Sequence, residues 1–162
     1  RVSAQLFAGV AGETEGAGSM NHIEMMRLAE SVALQSVCKR AQVGAVLTDG
    51  VSTYTGYNAR PCGGQCEGAD GRTLPDVVHA EIMALEKCLG SIDNPAGMTL
   101  YVTRQPCFDC ADQLARHGIH AVYYRDADDK TDGLEYLRAH GVFVSSAWLV
   151  GESWAERWQE VV

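Results

Sequence analysis

The chain has 162 residues, of which 46% are hydrophobic and 21% charged, as in an ordinary globular protein. Its net charge is −8 and its one basic cluster is the pair Lys39 and Arg40, which argues against a nucleic-acid partner because such a partner needs a basic face. No apolar run is long enough to span a membrane, and no segment has the pattern of a signal peptide.

We expect one domain over residues 20–162. Residues 1–19 are rich in Gly and Ala and have no clear period, which indicates a leader or an added extension before Met20. Apolar periodicity and turn residues then predict the elements that follow. In chain order these are a helix at 21–36, strands at 43–47 and 51–57, a long loop at 58–76, a helix at 78–88, a strand at 98–103, a helix at 107–117, a strand at 119–124, a helix at 132–140, a strand at 142–146 and a helix at 152–160.

This order predicts an α/β fold. Asp49 and Gly50 favour a hairpin between the first two strands, and the later strands alternate with helices, as parallel strands do. We therefore expect a mixed five-stranded sheet with helices on both faces, in three α/β/α layers.

Two motifs at predicted helix starts carry side chains that bind metals. The first is His79, Ala80 and Glu81, and the second is the pair Cys107 and Cys110 in PCFDC. One imidazole and two thiolates leave the fourth position of a zinc site open for water, whose pKa falls towards about 7. Either motif alone can arise by chance, and C-x-x-C also serves redox or structural roles. Together they favour a catalytic zinc centre in which Glu81 moves protons and does not bind the metal.

The combination of H-x-E with P-C-x-x-C is the signature of zinc-dependent nucleobase deaminases. From Met20 to Ser146 the chain resembles the cytidine deaminase superfamily, and within it the deoxycytidylate (dCMP) deaminase branch that includes phage enzymes. The segments that carry this resemblance are CKRAQVGAVL (38–47), GYNARPCGG (56–64), HAE (79–81), LYVTRQPCFDCADQLARHGI (100–119) and GLEYLRAHGV (133–142).

The resemblance implies a hydrolytic deamination of dCMP to dUMP and ammonia. Zinc held by His79, Cys107 and Cys110 would activate water for attack on the carbon that bears the amine. Glu81 would take a proton from that water, protonate the ring nitrogen and help ammonia leave.

Several further residues are expected to bind the substrate. Ala80 is small and its backbone would help bind the base, and the resemblance gives Asn58 a hydrogen bond to the sugar, although a turn asparagine is an equally good interpretation. Arginine binds phosphate through two parallel hydrogen bonds, but each candidate is also an ordinary surface residue. The phosphate candidates are Arg40, Arg60 and Arg104.

The chain departs from the family at two places. Ala59 replaces the glycine of GYNG. Ala127 lies where the family usually has an aromatic residue, so the stacking role is expected to shift to Tyr124 or the site to accept a modified cytosine.

Three cysteines remain for a second role. Without a secretion signal we expect a reducing compartment, where metal binding outranks disulfides. The resemblance suggests a second, structural zinc held by Cys38, Cys62 and Cys66.

The family resemblance also suggests a homo-oligomer, a hexamer in many relatives, with dCTP and dTTP as effectors that bind with Mg²⁺ at the loop 58–66. The expected location is cytoplasmic, in the host if a phage encodes the chain.

Two other functions stay open. The chain could deaminate a modified dCMP, a cytosine nucleoside or another aminated heterocycle. It could also be a non-catalytic zinc-binding regulatory module, although such a module would have no need of Glu81.

Overall fold

The computed structural model describes residues 21–146 and 159–160. They form ten elements around one sheet, whose strand order is β2-β1-β3-β4-β5-β6. In chain order the elements are α1 (His22–Ala33), β1 (Gly44–Thr48), β2 (Thr53–Tyr57), α2 (Ala80–Leu89), β3 (Thr99–Arg104), α3 (Phe108–Arg116), β4 (Ala121–Asp126), α4 (Asp132–Ala139), β5 (Phe143–Ser146) and β6 (Gln159–Glu160).

The sheet is mixed, as predicted. β1 pairs antiparallel with both β2 and β3, whereas β3, β4 and β5 run parallel to one another. The hairpin turns at Asp49, whose carboxylate accepts hydrogen bonds from the backbone N–H groups of Val51 and Ser52. This local capping explains why the turn could be predicted from the sequence.

Side-chain alternation along the strands divides the core into two layers. Ala45 and Leu47 of β1 join a cluster with residues of α2, α3 and α4, while Val46 points to the other face and packs with α1. The three-layer α/β/α fold is therefore confirmed.

The carboxyl end of the chain differs from the prediction. Most of the helix expected at 152–160 lies outside the described residues, as do residues 1–19. Its last two residues form the short strand β6, which pairs antiparallel with β5 and makes a sixth strand. None of the helices in the described part of the chain has the length and apolar character that a membrane span needs.

Two glycines allow close packing at the helix starts that matter for function. A Cβ on Gly56 of β2 would lie 2.3 Å from the carbonyl oxygen of Ala80, at the first residue of α2. A Cβ on Gly133 of α4 would lie 2.5 Å from the carbonyl oxygen of Pro106, just before α3. Both close approaches exclude any residue larger than glycine. They let β2 pack directly against the start of α2, and α4 against the residues just before α3.

The partly buried histidine at the start of α1 gives a prediction for stability against pH. His22 Nδ1 lies 2.7 Å from the hydroxyl of Tyr101, and the ring packs against Tyr123. Burial lowers the pKa of His22 from 6.5 to about 4. The unfolded chain therefore takes up this proton first, so the stabilisation is complete above about pH 6.5 and is lost as the pH falls towards 4.

We expect this one histidine to remove about 2 kcal/mol from the free energy of unfolding between pH 7 and pH 5. Urea unfolding at the two pH values would measure it. His22→Gln should reduce the pH dependence by that amount, whereas the matched change His120→Gln on an exposed histidine should not. Equal pH dependence in all three proteins would contradict the assignment.

Candidate active site

The two metal-binding motifs lie side by side at the amino-terminal ends of α2 and α3. His79 and Cys107 are the N-cap residues of these helices, and Cys110 is in the first turn of α3. A short β-bridge between Ala59 and Val78 ties the segment before His79 to the chain that leaves β2.

The three donor atoms converge on one point. His79 Nδ1 lies 3.3 Å from the Sγ of Cys110 and 3.6 Å from the Sγ of Cys107, and all three donor atoms lie within 4.8 Å of one another. In a tetrahedral zinc site, bond lengths of ~2.0–2.1 Å to nitrogen and ~2.3 Å to sulfur place nitrogen and sulfur ligands about 3.5 Å apart. The two nitrogen–sulfur separations fit that geometry, so these residues could hold zinc. This is the only such His/Cys/Asp/Glu group within the part of the chain that the structure describes.

Hydrogen bonds among these three side chains shift their pKa values. A hydrogen bond from Cys110, assisted by His79, lowers the pKa of Cys107 to about 4. The hydrogen bond to Cys107 and burial raise the pKa of Cys110, and the hydrogen bond to Cys107 raises the pKa of His79. A lowered pKa favours the thiolate form of Cys107, which is the form that binds a divalent cation.

Glu81 stands beside this group in the first turn of α2. It is 4% exposed, and burial raises its pKa from 4.5 to about 7. It does not belong to the group of converging donors. A buried carboxyl group that can hold or release a proton near neutral pH suits acid–base chemistry.

A cavity of about 480 Å³ opens onto these groups. This volume is in the range of small-molecule sites. His79, Ala80, Glu81 and Cys107 line it, and so do three cations and several carboxylates. The cations are Arg40, Arg104 and Lys130, and the carboxylates besides Glu81 are Glu67, Asp109, Asp128 and Asp132.

Two of the three predicted phosphate-binding arginines reach this cavity and one does not. Arg40 lines it, with Nη1 lying 3.5 Å from the hydroxyl of Thr73. Arg104 lines it too, but donates to Asp128 at 2.8 Å. Arg60 is held instead by an ion pair with Asp76 at 3.0 Å and lines a second cavity, which corrects the expectation for that residue.

The predicted sugar-binding residue lines the cavity, but its amide already has partners. Asn58 accepts a hydrogen bond from the N–H of Val43 and donates one to the carbonyl of Ala41. It thus fixes the segment before β1, and its amide retains a second lone pair and a second N–H for a ligand.

Tyr124, the residue expected to stack on the base, is not at the site. Its side chain is 4% exposed and packs in the core between the sheet and the helices α2 to α4. Its position in β4 directs it to the buried face of the sheet, so the stacking role predicted for it is not supported.

The remaining cysteines also differ from expectation. Cys38 and Cys66 form a disulfide, and Cys62 is exposed and free. Disulfide sulfurs are not thiolate ligands, so the structure has a covalent link where the sequence suggested a second zinc. The link joins the segment after α1 to the loop 58–76, and the next residue, Glu67, accepts hydrogen bonds from the N–H groups of Lys39 and Arg40.

Sequence reasoning missed several residues of the cavity wall, among them Gln105, Asp109 and Asp132 and three charged residues of the loops. Glu67, Asp128 and Lys130 come from loops, and no periodicity or motif marks them. The one available signal was proximity along the chain, since Glu67 follows a cysteine of the long loop and the other two follow β4.

The chain resembles several known deaminases. The family described as the cytidine and deoxycytidylate deaminase zinc-binding region matches residues 19–126. The deoxycytidylate deaminase of Mycobacterium phage D29 is 36% identical in an alignment that covers 60% of this chain and 88% of that protein. ComE operon protein 2 of Bacillus subtilis is 34% identical over 62% of this chain and 56% of its own length.

Solved structures agree with these sequence relatives. The dCMP deaminase of cyanophage S-TIM5, solved in complex with dCMP and dUMP, superposes with a TM-score of 0.73 at 38% identity. The alignment covers 76% of this chain and 94% of the cyanophage protein.

Proposed function

The chain belongs to the family of cytidine and deoxycytidylate deaminases, and we propose that it hydrolyses dCMP to dUMP and ammonia with the help of zinc. The observation that carries the proposal is the pairing of a converging His79, Cys107 and Cys110 donor set with the buried carboxyl group of Glu81 at one cavity. The phage relatives named for this reaction support the choice of substrate.

In this proposal His79, Cys107 and Cys110 hold the zinc ion. A bound zinc ion would supply Lewis-acid activation of a water molecule. Glu81 accepts a proton from the attacking water, delivers it to the ring nitrogen of cytosine and assists the departure of ammonia. Its burial supports this role, because a carboxyl group with a pKa near 7 can both take and give a proton.

The cavity wall provides the contacts for the nucleotide. Ala80 has no side chain beyond Cβ, so it leaves room for the base beside Glu81. Asn58 has hydrogen-bonding capacity left for the sugar. Arg104 is engaged by Asp128, whereas Arg40 takes part in no ion pair within residues 21–146. We therefore assign the phosphate to Arg40.

This assignment predicts that Arg40→Ala raises the KM for dCMP by about 10- to 100-fold, the range expected for a lost hydrogen bond to a charged group. The KM for deoxycytidine, which has no phosphate, should change little. The backbone N–H of Arg40 would keep its bond to Glu67, so the wall should stay in place. Steady-state rates of ammonia release would give the KM for both substrates.

Arg60→Ala is the matched control. That arginine is tied to Asp76 and lies at the other cavity, so in assays without dCTP or dTTP its loss should leave both KM values near those of the wild type. Equal effects of Arg40→Ala on dCMP and deoxycytidine would move the phosphate site elsewhere.

The function itself is tested by a substrate panel. Ammonia release from dCMP, dCTP, cytidine, deoxycytidine and 5-substituted dCMP would be compared at equal concentration. The proposal expects the highest kcat/KM for dCMP. A preference for a 5-substituted base would favour the modified-nucleotide alternative, and zinc binding without any turnover would favour the regulatory module.

Regulation and location remain predictions from the family resemblance. The loop 58–66 contributes Ala59, Arg60, Pro61, Gly63 and Gly64 to a second cavity of about 470 Å³, which is where dCTP or dTTP with Mg²⁺ would bind. A homo-oligomer and a cytoplasmic location are proposed on the same basis.

A further inference from the structure

A buried glutamine ties the end of β3 to the loop that follows β4. Gln105 is 7% exposed, and its backbone N–H donates to the carbonyl of Asp126 at 2.9 Å. Its side-chain Oε1 accepts from the N–H of Asp128 at 2.8 Å, and its Nε2 donates to the carbonyl of Lys130 at 2.5 Å. Both ends of the carboxamide are thus used on one short segment, residues 127–131.

This segment depends on Gln105 to an unusual degree. Within the described residues, the bonds from Gln105 are the only hydrogen bonds between the backbone of 127–130 and a more distant part of the chain. The N–H of Asp129 turns back to the side chain of Asp128, which is a local contact. Residues 127–131 are otherwise exposed, so apolar packing contributes little to their position.

The same segment forms one wall of the proposed active site. Asp128 and Lys130 line the cavity, and Asp128 also holds the guanidinium of Arg104 at 2.8 Å. Two of the three cations of the cavity therefore depend on where this segment lies. The proton-transfer and zinc-binding residues, by contrast, lie at the starts of α2 and α3, outside this segment.

We propose that Gln105 is a positioning residue for substrate binding: its carboxamide holds the segment 127–131 so that Lys130 and the Arg104–Asp128 pair stay at the cavity. The inference rests on the proposed function, because the ligand that these groups meet is the nucleotide assigned above. We call the two hydrogen bonds of the Gln105 carboxamide the clamp. Loss of the clamp would loosen the cavity wall and leave Glu81 and the metal ligands in place, so substrate binding would weaken while the chemical step would not change.

Two variants test the clamp. Gln105→Met keeps the length of the side chain and removes both hydrogen bonds, whereas Gln105→Glu keeps the acceptor for Asp128 and sets an oxygen against the carbonyl of Lys130. We expect the KM for dCMP to rise about tenfold in each, with kcat within about twofold of the wild type and zinc content unchanged.

The matched control is Asp129→Asn, an exposed change in the same segment: Asp129 does not line the cavity, and its bond to Asp128 comes from the backbone N–H, which the substitution keeps. Hydrogen exchange supplies a readout that needs no substrate: the amide of Asp128 should exchange faster in Gln105→Met and at the wild-type rate in Asp129→Asn.

The outcomes distinguish the two proposals. The KM is measured on whichever substrate of the panel the wild type deaminates, so a failure of the dCMP assignment leaves the test of Gln105 intact. Unchanged KM and unchanged exchange would overturn the clamp. A fall in kcat together with lost zinc would also overturn it, because Gln105 would then support the metal site through its neighbours Pro106 and Cys107.

Discussion

Glu81→Gln is expected to lower kcat by about 10²- to 10⁴-fold, the range that general acid–base catalysis contributes, while the protein keeps its zinc. The amide has the shape of the carboxyl group, so the first turn of α2 should keep its packing. The amide cannot accept a proton from water and deliver it to the ring nitrogen of cytosine. Because Glu81 is not one of the converging donors, its replacement should leave the metal site intact.

The measurement pairs ammonia release with zinc content. Glu86→Gln is the matched control, since Glu86 is an exposed residue of the same helix and carries the same charge. In assays without dCTP or dTTP it should behave as the wild type does, because it lines the second cavity and not the one at Glu81. Full activity in Glu81→Gln would refute the proton-transfer role, and loss of zinc from it would show that the carboxylate serves the metal instead.

Local sequence patterns predicted most of the fold because the determinants of each element are local. The turn at Asp49 is capped by its own neighbours, and the helices at 80–89 and 108–116 begin within two residues of their predicted starts. The three metal-binding residues could be predicted for the same reason. Each motif lies at a helix start, and α2 and α3 pack on the same face of the sheet.

What the sequence could not predict depends on contacts between distant segments. Arg60 and Arg104 look alike in sequence, but Asp76 draws one away from the cavity and Asp128 holds the other at its edge. Tyr124 was misplaced because the side of the sheet to which a strand residue points is set by register and not by its neighbours.

The cysteines show the same limit. Cys38 and Cys66 are 28 residues apart, and their pairing follows from how the long loop returns to the end of α1. Spacing alone cannot separate a disulfide from a shared metal. The clamp from Gln105 to Asp128 and Lys130 was likewise invisible, since an amide that bonds to a distant backbone leaves no periodic signal.

Removal of the metal is the second large effect that we expect. Chelation of zinc, or the change Cys107→Ser, should lower activity by about 10³-fold or more, because several kcal/mol of transition-state stabilisation depend on the Lewis acid. Readdition of zinc should restore the chelated wild type and not the variant, in which one of the three donors is lost.

Cys62→Ser separates this effect from the general loss of a thiol. Cys62 and Cys107 are both exposed and free, but only Cys107 lies in the donor set. Cys62→Ser should keep its activity and bind as much zinc as the wild type. We expect that amount to be one ion per chain, because Cys38 and Cys66 are joined in a disulfide. If the wild type bound two zinc ions and Cys62→Ser one, the loop cysteines would be metal ligands and the disulfide would be excluded. If Cys107→Ser retained both zinc and activity, the reactive metal would have to be held elsewhere, and the assignment of His79, Cys107 and Cys110 would fall with it.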